Sequence, residues 1–298
     1  MSILLETLNG PMGWRWMRNR GRTRAFVSRL LQKKTHQRLH SFLNGGWQPS
    51  ATASADRGFA VSLTSWTPRL QTLPLTLICL LDQKVAARGI YVWLAVKDLE
   101  RLSPPLLEAF SAHGVHFMTC DNLGPHTKWL PMLRMGYNET FVISDDDIFY
   151  PKNWLRKIVE EDCPNAYVGT RVHEIVTDSG NVLKYEKWKR DISWSGGASH
   201  LDFVTACGGA IIRPERISAK YCDWDRIKKY CPKADDIWLK AAHLEAGIPV
   251  YKTKYSFPCL EVPGTAESSL LGTNVDEGGN DKQLEILKQE WAKFHSQT

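Results

Sequence analysis

The stretch FVISDDDIFYP, residues 141–151, is an apolar run of strand length that breaks directly into Asp145, Asp146 and Asp147. Successive side chains of an extended chain point to opposite faces, so Asp145 and Asp147 share one. Two hard carboxylates at a strand end suit Mg²⁺ or Mn²⁺, with substrate phosphate oxygens completing the shell. Such an ion offsets the charge that grows on a departing nucleoside diphosphate. The structural alternative is an acidic turn capping a helix that begins within Pro151–Trp154. One aspartate meets that need, whereas adjacent carboxylates raise one another's pKa unless a cation is present. Metal binding is the better reading.

Other segments hold chemistry-bearing residues with two readings each. In ADDIWLKAAHLEAG, Asp235 and Asp236 open an amphipathic helix with Ile237, Ala241 and Leu244 as its buried stripe. Acidic residues stabilise a first helical turn, so Asp235 reads as an N-cap, while a second aspartate is harder to explain that way. In TSWTPR, Thr64 and Ser65 offer hydroxyls and Arg69 a phosphate contact; Thr67 as N-cap before Pro68 is equally natural. In GPHTK, Lys128 precedes a helix, where a phosphate is favoured by lysine and backbone N–H groups alike; a solvated lysine is the alternative. Gly208 and Gly209 interrupt an apolar run, marking a bulge or a close approach. Trp194 lies in a Gly/Ser-containing stretch, where an exposed ring stacks on a sugar or simply covers a core edge.

The elements that must position these residues follow from periodicity. Strands are expected at Phe59–Ser65, Ile90–Val96, Val115–Cys120 and Phe141–Ser144. Helices between them fall at Leu73–Gln83, Pro104–His113 and Lys128–Met135. That alternation predicts an α/β domain with a mainly parallel sheet, right-handed crossovers and ligands at the carboxyl ends of the strands. Further on, helices are expected at Asn153–Glu161, Asp235–Ala246 and Lys282–Phe294, and strands at Tyr167–Ile175, Phe203–Ile212 and Val250–Tyr255. Residues 44–58 are rich in Gly, Ser, Ala and Pro and read as a linker. The expected organisation is a basic N-terminal extension over residues 1–57 and a catalytic domain over 58–298.

Taken in order, VSLTSWTPRL, LLDQK followed by IYVWLA, LGPHTKW, ISDDDIFYP, ACGGAIIRP and ADDIWLKAAHLEAG resemble the bacterial GT-A fold glycosyltransferases related to glycosyltransferase family 2, enzymes of surface polysaccharide biosynthesis. The resemblance covers roughly residues 58–290. It implies a Rossmann-like GT-A sheet flanked by helices, a nucleotide-sugar donor, a saccharide or lipid-linked acceptor, and a Mn²⁺ or Mg²⁺ ion held by the D-x-D aspartates, Asp145 and Asp147 here. Asp146 would lie beside the donor ribose or sugar. This sequence departs from the pattern in having aspartate at the middle position too, so which pair touches metal stays open. The resemblance further implies that the loop at Gly208 and Gly209 lies against the donor or acceptor sugar. It places the general base in the acidic pair, Asp236 before Asp235, and direct displacement by the acceptor oxygen that this base deprotonates favours inversion. The end of the first strand, Thr64 to Arg69, corresponds to the edge where base and ribose lie.

Charge is unevenly distributed: residues 1–50 hold nine Lys/Arg against Glu6 alone, in a chain of net charge +6, leaving the remainder slightly acidic. Residues 12–43 set Phe26, Leu30, Leu31 and Leu39 in that basic background at helical spacing. An amphipathic helix on an anionic membrane surface and a leader packed on the domain are both open readings. Nucleic acid is not expected, because the body of the chain has no second basic region. The seven cysteines form no C-x-x-C pair, which fits a reducing compartment. With no run of about 18 apolar residues and a poor secretory start, the expected location is cytoplasmic, with a peripheral site on the inner membrane face as the variant.

Two rival functions share the acidic strand end. The G-x-G-x-R loop expected of a sugar-phosphate nucleotidyltransferase is absent after the first strand of this sequence. A metal-dependent phosphatase with D-x-D-x-T fails because residue 149 is Phe. A non-catalytic saccharide-binding protein would ignore nucleotides.

Overall fold

The computed structural model describes residues 21–49, 59–266 and 278–286. In chain order its elements begin with α1 (Gly21–Leu43), β1 (Ala60–Thr64), α2 (Leu73–Leu81), β2 (Ile90–Leu94), α3 (Val96–Leu99), α4 (Pro104–Ser111), β3 (Val115–Thr119), α5 (Leu130–Arg134), β4 (Phe141–Ile143) and α6 (Trp154–Glu160). They continue with β5 (Tyr167–Gly169), β6 (Val172–Glu174), β7 (Thr177–Asp178), β8 (Asn181–Val182), β9 (Ala198–Ser199), β10 (Asp202–Val204), β11 (Ala210–Ile212), α7 (Trp224–Tyr230), α8 (Asp235–Glu245), β12 (Val250–Lys252) and α9 (Gly279–Ile286). The fold class is α/β, as the alternating periods require.

Among the described residues, two compact units form. The first holds 21–49, 59–121, 144–160 and 255–266; the second holds 122–143, 161–254 and 278–286.

In the first unit β3, β2 and β1 lie side by side, all parallel, with Val61 opposite Ile90 and Val92 opposite Phe117. The β-branched and aromatic residues of IYVWL suit a strand covered on both faces. Helix α2, LPLTLICLL, is buried nearly all round, as a helix without a polar face must be. Its last turn runs into buried Asp82, which pairs with Arg38 of α1 and accepts from Lys152 Nζ at 2.9 Å. Helix α1 is not a loose leader, since Phe42 packs on Phe110 of α4 with ring centroids 5.0 Å apart. Val27 joins Leu75, Phe149, Leu260 and Val262 in one apolar cluster. Residues 12–20 of the predicted amphipathic segment lie outside the described residues.

The second unit is mixed rather than parallel. Strand β11 runs antiparallel to β4 and β5, while β12 runs parallel to β5 and antiparallel to β9. The expected single strand over Tyr167–Ile175 is two, β5 and β6, and β6 pairs with β10 in a separate ladder. The same holds for Phe203–Ile212, which divides into β10 and β11 around a 3₁₀ turn at Ala206–Gly208. A hairpin of β7 and β8 and the helix α7 are not evident from periodicity. Helix α8 buries a wider face than expected: Trp238, Leu239 and Ala242 join Ile237 and Ala241 inside, while Leu244 is only half-buried. The end of the predicted helix Lys282–Phe294 lies outside the described residues.

Candidate functional site

The acidic segment follows β4 and belongs to the first unit, where Ser144 N–H donates to Ser62 O, at the middle of β1, at 3.0 Å. Asp146 is buried, and both of its carboxylate oxygens are engaged. Oδ2 accepts from Ser65 Oγ at 2.5 Å, and Oδ1 accepts from Arg69 Nη1 at 2.7 Å. Thr76 Oγ1 donates to the Asp146 carbonyl at 2.8 Å, fixing the backbone as well. Asp147 Oδ2 lies 3.2 Å from Arg69 Nη2, so one guanidinium spans two aspartates. Asp145 is half-buried, with its N–H donating to Tyr150 Oη at 2.9 Å.

Burial raises the pKa of Asp147 to about 8, reinforced by Asp145 and Asp146 and opposed by Arg69. Asp146 is also raised by burial, against the counter-pull of Arg69 and Ser65. For Arg69, burial lowers the pKa but the aspartates outweigh it and the net shift is upward. Three carboxyl groups act on one guanidinium, and hard oxygen donors are the ligand chemistry of Mg²⁺ or Mn²⁺. Among the described residues no group of three or more His, Cys, Asp or Glu side chains is arranged to hold a metal ion. An ion here would therefore need further ligands from substrate and water, the usual partition for Mg²⁺.

Capping does not account for the aspartates. The start of α6 is served by Gln83, whose Oε1 accepts from Leu155 N–H at 3.0 Å while its Nε2 donates to Pro151 O at 2.9 Å. Nor is Thr67 an N-cap: Trp66 holds that position in the 3₁₀ turn Thr67–Arg69, and the Thr67 hydroxyl is hydrogen-bonded to Asp98. Thr64 directs its hydroxyl to Trp93 O at 3.0 Å. As donors, the two hydroxyls expected to meet a nucleotide serve the protein itself.

The second unit holds the other acidic pair. Ala234, not Asp235, is the N-cap of α8. Asp235 Oδ2 lies 3.3 Å from Lys128 Nζ, and both side chains are buried. Lys128 is thus not a solvated surface lysine. Asp236 Oδ1 accepts from Ala206 N–H at 3.0 Å, anchoring the turn before the glycine pair. Gly208 has a steric reason: a Cβ there would meet Arg171 Cβ at 2.6 Å and Arg171 N at 2.9 Å. Gly209 adopts φ 96°, which favours glycine. Trp194 is 40% exposed, with Lys254 Nζ 4.7 Å from its ring centroid.

Some ionisable groups escaped the sequence reading. Glu261 bridges to Ile148 and adds to the negative field on Asp147; no sequence signal links positions so far apart. Lys240 is fully buried, with Nζ donating to His200 O at 2.8 Å. Burial lowers its pKa to about 7, with Asp202 opposing. A lysine three residues after Ile237, on the apolar face of α8, was the available signal.

No family model matches this sequence, and no curated protein matches it. Among solved structures, the inositol-1-phosphate CTP transferase from T. maritima matches with a TM-score of 0.40 and 10% identity, over 67% of this chain and 86% of that one. No helix among the described residues is long and apolar enough to cross a membrane.

Proposed function

We propose that this chain is a divalent-cation-dependent glycosyltransferase that moves a sugar from a nucleoside-diphosphate donor to a hydroxyl of a saccharide or lipid-linked acceptor, with inversion. The observation that carries the reading is that Gln83, not an aspartate, satisfies the start of α6. Three clustered carboxylates, two of them with raised pKa, are a poor structural device. A divalent ion supplies Lewis-acid stabilisation of the departing diphosphate. Asp145 and Asp147 are its protein ligands. Asp146, held by Ser65 and Arg69, positions them, and the positive charge of Arg69 favours phosphate oxygens at the same corner.

Asp236, in the second unit, is the carboxylate proposed to take the proton of the acceptor hydroxyl. Asp235 is the weaker candidate, because its Oδ2 already faces Lys128 Nζ at 3.3 Å. Trp194 offers an exposed ring for acceptor stacking. Gly208 and Gly209 shape the turn that Asp236 anchors, and the proposal keeps their sugar contact to backbone alone.

The test is a panel of nucleotide sugars and acceptors with Mn²⁺ or Mg²⁺, following the products. Release of nucleoside diphosphate with sugar joined to acceptor is expected. Pyrophosphate release from a nucleoside triphosphate and a sugar phosphate would instead assign nucleotidyl transfer at the same carboxylate corner. Saccharide binding indifferent to both nucleotide and ion would remove the enzymatic reading. Near-normal turnover by Asp236→Asn would remove the proposed base.

A further inference from the structure

Helix α1 has two faces with different employment. Its inner face is built into the first unit, where Val27 and Phe42 are buried and Arg24 Nη2 donates to Cys259 O at 2.7 Å. Its outer face has no such role. At 100° per residue, Arg22, Phe26, Arg29, Leu30 and Lys33 lie on one side, with Lys34 at its edge, and all are exposed. Phe26 is 62% exposed and Leu30 41%, two large apolar side chains left in water between cations. The helix, GRTRAFVSRLLQKKTHQRLHSFL, contains no acidic residue. Beside it opens a cavity of about 290 Å³ whose lining includes Arg24, Ser28, Arg29 and Glu261.

We propose that this outer face of α1 is a docking surface for an anionic lipid bilayer. Charge complementarity commits it to an anionic partner, and the apolar pair selects a bilayer over a nucleic acid. Phosphate contacts alone account for cations but leave Phe26 and Leu30 without a role, whereas an interfacial helix buries such residues at the headgroup–acyl boundary while its basic residues stay at the surface. The arrangement differs from a free amphipathic leader, because the folded unit presents the face ready-made. It also ties the surface to the carboxylate corner: segment 259–263, held by Arg24 and by Gln32 Nε2 to Pro263 O at 3.4 Å, pairs with the acidic segment through Val262 N–H to Asp147 O at 2.7 Å. The proposal stands independently of which transfer the chain catalyses.

The test is flotation of the full chain with phosphatidylglycerol/phosphatidylcholine vesicles and with phosphatidylcholine vesicles alone, at low salt and at about 0.5 M salt. Deleting α1 would strip the apolar cluster it completes, so surface variants are the instrument: Arg29→Gln/Lys33→Gln/Lys34→Gln together, and Phe26→Ser separately. Unchanged thermal melting verifies folding in each. Binding to the anionic vesicles only, weakened by salt and lowered roughly 100-fold in the triple variant, is expected, since each basic residue contributes about fivefold. Phe26→Ser should lower binding several-fold at both salt levels. No flotation at low salt, equal flotation of parent and triple variant, or capture by single-stranded RNA in preference to vesicles overturns the proposal.

Discussion

Arg69 and Asp146 are joined side chain to side chain, Nη1 to Oδ1 at 2.7 Å, while the other arm of the same guanidinium reaches Asp147 at 3.2 Å. The arginine is therefore part of the acidic corner, holding at close range carboxylates that would otherwise repel. Removing it should leave buried charge uncompensated. Arg69→Ala is expected to destabilise the chain by about 3–5 kcal/mol, with added Mn²⁺ restoring part of the loss. Denaturant melts with and without the ion measure both.

The aspartates should separate by role. Asp145→Ala and Asp147→Ala are expected to reduce transfer at least about 100-fold and to weaken Mn²⁺ binding, with modest effects on folding. Asp146→Ala, which removes the acceptor of Ser65 Oγ and of Arg69 Nη1, should lower the melting temperature most. Calorimetric Mn²⁺ titration beside thermal melts distinguishes ligand from positioning residue.

Asp147 sets a pH dependence of known sign. Its folded pKa, raised by burial to about 8, lies above the ordinary value of 3.8, so between these the folded state holds a proton that the unfolded state has lost. Its contribution to stability is complete below the lower value and is lost as pH rises through the upper one. Ion-free protein should melt progressively lower from about pH 4 to about pH 8 on this account, and Asp147→Asn should flatten that slope. Mn²⁺ binding at neutral pH should release protons and tighten with pH, as proton uptake in weakly buffered calorimetry would contradict.

Lys128 and Asp235 form a buried pair, both side chains 8% exposed. Lys128→Met removes the cation paired with buried Asp235 and should cost about 3–5 kcal/mol, whereas replacing both with apolar residues should cost much less. A double-mutant cycle by urea unfolding measures the coupling. Additive costs would contradict the pairing.

Gly208→Ala should destabilise the second unit by roughly 1–3 kcal/mol, because the added methyl meets Arg171 Cβ at 2.6 Å. The turn it distorts is the one Asp236 anchors through Ala206 N–H. Activity should fall further than stability alone accounts for, which a comparison at a temperature well below both melts would reveal.

The α/β class, the order β1–α2–β2–α4–β3 and the acidic break after β4 are all legible in the chain. They depend on side-chain periods and on neighbours a few residues apart, which the local backbone geometry converts directly into structure. The splitting of Tyr167–Ile175 and Phe203–Ile212 was not legible, because a strand-like stretch looks alike in sequence whether it stays in one ladder or passes to another. Partnerships across the chain were decided only by the tertiary fold. Gln83 serving α6, Arg69 bridging Asp146 and Asp147, Lys128 neutralising Asp235 and Glu261 approaching Asp147 each join segments remote in sequence. Composition reveals that charges exist. Whether a given aspartate caps a helix, pairs with a cation or keeps an excess of negative charge depends on which segments the packed core brings back beside it. The same reason applies to α1: its basic, amphipathic character is written in residues 21–43, but which apolar residues it buries and which it leaves facing water follows from packing on α2 and α4.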